Sequence, residues 1–416
     1  VLFRSWGYMV KNKGLLIVVG VLVLTAIIYF STQQSKVSKT AAGGEIKMGI
    51  ILGFTGPIES LTPAMAASAE LAFKEASDSG SLLGGATISP VRADSTCVDS
   101  AAATAAAEGV IAQGVAAIMG ADCSGVTGAI ATNVAVPNGV VMISPSATSP
   151  GLTALDDNGF FFRTAPSDAR GGQILAEITK DRGINSVAIT YTNNDYGKGL
   201  ADVYEASVKA LGIEVTSVSA HEDGKADYSS EAATLAAGGG DALAVIGYLD
   251  QGGKGVIEAS LDAGSFDTFI MSDGMIGQSI IDAIGDDLNK SFGSLPGSTG
   301  KGADVFAGVA SAAGIDSAGP YTGESYDAAA LIVLAMQAGG SADRASIAKN
   351  VMDVANAPGT KIYPGELKKG LDLLAEGKKI NYEGATGVMF TDVGEAEGSF
   401  LEKEIKNGKF ETAQQR

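Results

Sequence analysis

Residues 186–219 read SVAITYTNNDYGKGLADVYEASVKALGIEVTSVS, and their order decides the fold class. Ser186–Tyr191 is a short apolar run with β-branched residues, the pattern of a strand covered on both faces. A polar turn follows, then Gly199–Leu211, whose apolar positions recur at helical spacing. Glu214–Ser219 is a second strand-like run. Strand, helix and strand within about 35 residues predict a right-handed βαβ unit and therefore parallel pairing. The same alternation extends outward in both directions. Further strands are predicted at Ile46–Leu52, Thr87–Ala93, Ala116–Met119, Val140–Ile143, Ala242–Tyr248 and Thr268–Met271. Between them lie helical stretches at Ala64–Ser77, Ser100–Gln113, Ala169–Lys180 and Gly252–Ala263. The expected class is α/β, with parallel sheets carrying helices on both faces. Eight such units exceed one comfortable sheet. A break is expected near Arg163–Asp168, where strand-like Phe160-Phe161-Phe162 ends in a proline turn. Phe292–Gly302, rich in Gly, Ser and Pro, reads as irregular. Two helices (Tyr321–Ala338, Ser346–Asn356) and a late strand-turn region (Gly384–Phe400) must then pack onto the two earlier lobes.

Composition narrows the chemistry. The chain has 416 residues, enough for two domains. A formal net charge of -18 argues against nucleic acid or anionic lipid surfaces as partners. The single histidine, His221, precludes a site needing two imidazoles, and its polar neighbours suggest a loop. No G-x-S-x-G elbow is present, so neither an enzyme nor a metal site is expected. Two glycine clusters fail as phosphate loops. Gly197-Lys198-Gly199 leads to Asp202 instead of glycine, and Gly300-Lys301 has Leu295 where a P-loop begins. No cofactor is expected.

The N-terminal stretch points to a compartment. After Met9, Lys11 and Lys13 precede the uncharged run Gly14–Phe30, an export signal that reads better as an uncleaved anchor than as a cleaved peptide. Residues 1–44 are thus expected to be signal or anchor plus linker. The rest is expected outside the cytoplasm, where the two cysteines, Cys97 and Cys123, would pair.

Ligands of open α/β sheets bind at loops beyond the carboxyl ends of strands. Those loops carry Cys123-Ser124-Gly125, Ile143-Ser144-Pro145-Ser146-Ala147-Thr148-Ser149-Pro150-Gly151-Leu152-Thr153, Asn194-Asp195-Tyr196-Gly197-Lys198-Gly199, Tyr248 and Asp273. With Phe54-Thr55-Gly56-Pro57, Ser325-Tyr326-Asp327-Ala328 and Phe390-Thr391-Asp392 in this order, the chain resembles the branched-chain amino-acid binding proteins of ABC importers. The resemblance runs from about Lys47 to Phe410 and implies the type I periplasmic-binding fold, two lobes joined by three hinge crossovers. It implies lobe 1 at 45–166 plus 299–387 and lobe 2 at 167–298 plus 388–412, and Cys97–Cys123 falls where family members have their disulfide. It further implies that Ser124, Thr148 and the backbone around Ser146 clamp a ligand α-carboxylate. Tyr196 and Tyr248 would be the aromatics of the second lobe, and Asp273 the acceptor of the ligand ammonium. Leu61 stands where many relatives have an aromatic. It would widen a pocket for leucine or isoleucine, whereas neighbouring Glu59 would admit a polar group. The implied function is capture of a small zwitterion, delivered by a monomeric protein to an ABC permease and its ATPase subunits. A membrane-tethered sensor ectodomain, or a binder of amides or urea, are the alternatives.

Overall fold

The computed structural model describes residues 43–416. The apolar run 14–30 and the tether expected of it lie outside the described residues. No helix among the described residues is long and apolar enough to cross a membrane.

The first half is a five-stranded parallel sheet. Its strands are β1 (Glu45–Leu52), β2 (Thr87–Asp94), β3 (Ala117–Gly120), β4 (Val141–Ser144) and β5 (Phe161–Arg163), in the order β2-β1-β3-β4-β5. Helices α1 (Thr62–Asp78), α2 (Ser100–Ala112) and α3 (Ser124–Ile130) connect them. Each crossover starts where local chemistry favours it. Asp99, for example, caps α2 by accepting the Ala101 and Ala102 amides at 2.9 and 3.0 Å.

After β5 the chain enters α4 (Asp168–Asp181) and builds a second sheet from β6 (Ser186–Thr192), β7 (Glu214–His221), β8 (Ala242–Ile246), β9 (Phe269–Met271) and β10 (Phe292–Pro296). Its helices are α5 (Asp195–Ala210), α6 (Ser229–Gly238), α7 (Gly252–Asp262) and α8 (Gln278–Ile284). The chain then returns to the first half with α9 (Lys301–Ala312), α10 (Thr322–Ala338), α11 (Arg344–Ala355) and α12 (Leu367–Ala375). A short parallel pair, Thr360–Ile362 with Ile380–Tyr382 (β11, β12), flanks α12. Helix α10 is buried almost all round and lies against α1, which is why its sequence is apolar on every face. The chain crosses a third time to add β13 (Phe400–Lys406) and β14 (Lys409–Gln415) to the second sheet, whose order is β14-β13-β10-β9-β8-β6-β7.

Three expectations are corrected. Residues 292–296 form β10, fully buried between β9 and β13. Its Gly and Pro disguise it, yet both suit the place: a Cβ on Gly293 would sit 2.1 Å from the Met271 carbonyl oxygen, and Pro296 ends the strand. His221 is not in a loop. It ends β7, is buried, and bonds through Nδ1 to Thr190 Oγ1 at 2.8 Å. Burial lowers its pKa to about 4. The late strand-turn region is expected over Gly384–Phe400, but the antiparallel strands begin at Phe400 and run to Gln415.

Candidate functional site

The carboxyl ends of the two sheets face each other across a narrow, nearly closed cleft. Ser124, Ser146, Tyr196, Tyr248, Asp273 and Leu61 all line it, which brings six of the seven predicted ligand residues together. Ser124 opens α3 and accepts the Ser149 amide on its Oγ at 3.1 Å. Ser146 Oγ donates to the Asp122 carbonyl at 3.1 Å. The Asp122 carboxylate, which sequence reasoning missed, ties three strand ends together beneath these serines. It accepts from the Gly53 amide (2.6 Å), Ser95 Oγ (3.0 Å) and the Cys123 amide (2.9 Å). Burial raises its pKa despite those bonds. The disulfide Cys97–Cys123 is formed and anchors the same corner.

The opposite wall is aromatic and acidic. Tyr196 lies in the first turn of α5, which starts four residues earlier than expected and is capped by Asn194 on the Gly197 amide at 3.0 Å. Gly197 is required there, since a Cβ would meet the Thr192 carbonyl oxygen at 2.1 Å. The Tyr196 and Tyr248 rings stack with centroids 5.2 Å apart. Tyr196 donates its hydroxyl to Asp273 Oδ1 at 2.7 Å, and Tyr321 donates to Asp273 Oδ2. Asp273 is only 7% exposed, and burial raises its pKa against the effect of the two phenols.

Tyr321 belongs to the segment preceding α10 and was not found from sequence, because it follows no strand. Its backbone is left-handed (φ 59°), uncommon for a tyrosine, and this turns the ring toward Asp273 across the cleft. Ile58, Leu61 and Met65 form the apolar end of the cavity. Glu59 is exposed and bonds back to the Gly56 amide at 3.3 Å, so it contributes no charge to this end.

Thr148 is the predicted residue that does not line the cavity. It is buried behind it, beside Asp168, whose charged form it favours. Neither Thr148 Oγ1 nor Asp168 Oδ2 has a partner at hydrogen-bond geometry. The two halves also touch around the cavity. The Ser60 amide donates to Asp250 Oδ2 at 2.9 Å, the Asp250 amide to the Pro57 carbonyl at 3.0 Å, and Ser149 Oγ to the Asp195 carbonyl at 3.0 Å.

This cavity, closed between two αβ halves, meets a family assignment over most of the chain: the periplasmic binding protein model matches residues 45–367. The chain belongs to the periplasmic binding protein family. Among curated relatives, this periplasmic binding protein is 29% identical over 222 residues to Leu/Ile/Val-binding protein homolog 3 of Brucella melitensis, a match spanning 51% of this chain and 57% of that one. It is 26% identical over 381 residues, 89% of both chains, to the chemotactic signal transduction system substrate-binding protein BasB of Halobacterium salinarum. Among solved structures, the leucine-binding protein LivK of Thermotoga maritima superposes with a TM-score of 0.75 at 23% identity, over 89% of this chain and 98% of that one. An R. palustris solute-binding protein in complex with 4-hydroxybenzoate gives 0.71 at 17% identity, over 89% and 97%. At these identities the structural likeness establishes the two-lobed fold alone.

Proposed function

We propose that this chain is the extracytoplasmic substrate-binding protein of an ABC importer, and that it captures a branched-chain amino acid. The reading has residues 45–166 plus 299–387 act as one lobe and 167–298 plus 388–412, extended to the end of β14, as the other. The observation that carries it is the polarity of the cavity. Hydroxyls and amides around Ser124 and Ser146 suit a carboxylate, Asp273 across the cleft suits an ammonium, and Ile58, Leu61 and Met65 suit an aliphatic side chain. A ligand that contacts both walls binds the closed arrangement better than the open one and so shifts the hinge equilibrium toward closure. Thr148 supports the site from behind, through the Asp168 side, while Tyr196 and Tyr248 cover the ligand.

The closed, monomeric protein would be recognised by a permease coupled to ATPase subunits, with the N-terminal segment as the membrane tether. The Leu/Ile/Val-binding names of several relatives support this reading, and the family is one of binding proteins rather than enzymes. The BasB match favours a second reading, in which the same capture serves a chemotactic receptor. A thermal-shift screen with the amino acids, short amides and urea tests the ligand class. A true ligand at 100 times its Kd adds about 2.7 kcal/mol of stability. A response to amides or urea alone, with none to leucine, isoleucine or valine, would refute the branched-chain reading.

A further inference from the structure

Asp273 separates the ligand cavity from a second, smaller one. Asp168, Ser272, Ser294, Leu175 and Leu200 line this second cavity together with Asp273. Asp168 is the first residue of α4 and only 3% exposed, and its Oδ2 has no hydrogen-bond partner. Two buried carboxylates therefore share one small chamber.

The groups around them leave no cation to balance two charges. Arg163, from β5, is the basic side chain that acts on Asp168, and its donors are spent elsewhere. Nη1 serves the Ala147 and Ser149 carbonyls at 3.0 and 2.9 Å, Nη2 serves Thr153 Oγ1 at 2.8 Å, and both Nε and Nη2 serve Glu395. Tyr196 from α5 and Tyr321 from the segment before α10 face Asp273, and burial with its negative charge keeps both phenols protonated. Thr148 and Ser272 add neutral hydroxyls. Two carboxylates in such surroundings cannot both ionise cheaply, so the pair titrates as a unit.

We propose that Asp168 is a positioning residue of the ligand site that acts through Asp273: the ligand-free pair holds one proton, and the ammonium of an arriving ligand takes its place. The carboxylic O–H bond breaks, the proton passes to solvent or buffer, and the pair is left doubly ionised against the ligand's positive charge. Burial and the charge of Asp273 push Asp168 well above the ordinary carboxylate range, in the direction this exchange needs. The inference rests on the reading of the ligand as an ammonium-bearing amino acid. It makes affinity pH-dependent, with capture weakening as the medium acidifies through the titration of the pair and the proton competes with the ammonium.

Isothermal titration of the full chain with L-leucine, in buffers of different ionisation enthalpy between about pH 5 and 8, counts the protons exchanged. The expected result is release of up to about one proton per leucine at some pH in that range. In Asp168→Asn the count should fall to near zero and the affinity become flat with pH, while leucine still binds. Leucine binding without proton release anywhere in the range, or undiminished release in Asp168→Asn, overturns the inference and leaves the amino-acid reading intact. Failure of the parent protein to bind any amino acid overturns both. If Asp168→Asn does not fold, the parent's proton count decides.

Discussion

The two walls of the ligand cavity are made from the same kind of βα loop yet carry opposite chemistry. The wall from the first sheet is built of small hydroxyls and backbone amides, with its one carboxylate, Asp122, engaged by three donors. The wall from the second sheet carries two stacked tyrosines and Asp273, reinforced from behind by Asp168. A molecule that satisfies both must be an anion at one end and a cation at the other. Neither wall alone specifies this: the first would accept any small carboxylate, and the second any small amine. On the proposed reading, specificity for a zwitterion would be a property of the closed cleft.

The largest effect is expected on the acidic wall. If Asp273 holds the ligand ammonium in a water-excluded site, Asp273→Asn should weaken binding by roughly 2–5 kcal/mol, because one buried charge loses its partner. That is about thirtyfold or more in affinity. Calorimetry with the ligand found by the thermal screen measures it, alongside a melting curve expected to change little. Parent-like affinity would mean that the ammonium is not held at this wall, and would move the reading toward amides.

The disulfide gives the first wall a support the second lacks among the described residues. Cys123 directly precedes Ser124, and its bond to Cys97 spans 26 residues. Reduction should cost about 3.5 kcal/mol in the chain-entropy model. It should also loosen the Ser124 corner more than the Tyr196 corner. Hydrogen exchange with and without reductant would reveal that asymmetry, and equal loosening of both corners would contradict it.

Two buried titratable groups, one in each half, respond to pH in opposite directions. His221, in the second sheet, has its pKa lowered from 6.5 to about 4, so its contribution is complete above pH 6.5 and is lost as pH falls toward 4. The loss amounts to about 3 kcal/mol. Glu324, in α10 against the first half, has its pKa raised by burial from 4.5 to about 8. Its contribution is complete below pH 4.5 and is lost as pH rises toward 8. Glu324→Gln should therefore stabilise the protein by about 3 kcal/mol at pH 7, and His221→Gln should flatten the acid limb. Urea midpoints as a function of pH test both, and the slopes matter more than the absolute levels because each substitution also perturbs packing. An acid limb unchanged in His221→Gln would mean that other groups govern it.

Much of this was legible in the sequence, and the exceptions have physical causes. The βα alternation gave both sheets because parallel strands buried on two faces are short, apolar and evenly punctuated. The strand Phe292–Pro296 escaped because close packing against Met271 demands a glycine, which weakens the strand signal. Ser124, Ser146, Tyr196, Tyr248 and Asp273, which line the cavity from loops after strands, follow from the rule that ligands sit there, whereas Asp122 in the same position escaped it. Tyr321 escaped because it arrives from a helix-capping segment across the cleft, and Asp168 because a helix-start aspartate ordinarily signals nothing more than a favourable dipole. Thr148 shows the converse: it is in the expected loop, but the loop turns its hydroxyl toward Asp168 and away from the cavity.

The smallest effect is expected at Ser124, and it is the finest test of how the first wall works. Its hydroxyl already accepts the Ser149 amide at 3.1 Å and lines the cavity as well. If it also donates to the ligand carboxylate, Ser124→Ala removes that donor and leaves the Ser149 amide without its acceptor. The backbone amides of the neighbouring loops would still hold the anion, so the loss should be about 1–3 kcal/mol, less than that of Asp273→Asn. Pairing the two substitutions sharpens the point. With the ligand spanning both walls in one rigid pose, the double variant should lose close to the sum of the single losses, since the two groups share no partner. A Ser124→Ala loss equal to that of Asp273→Asn would mean that the hydroxyl, rather than the amides, carries the carboxylate. A double variant no worse than Asp273→Asn alone would mean that the ligand abandons the first wall once its ammonium is released.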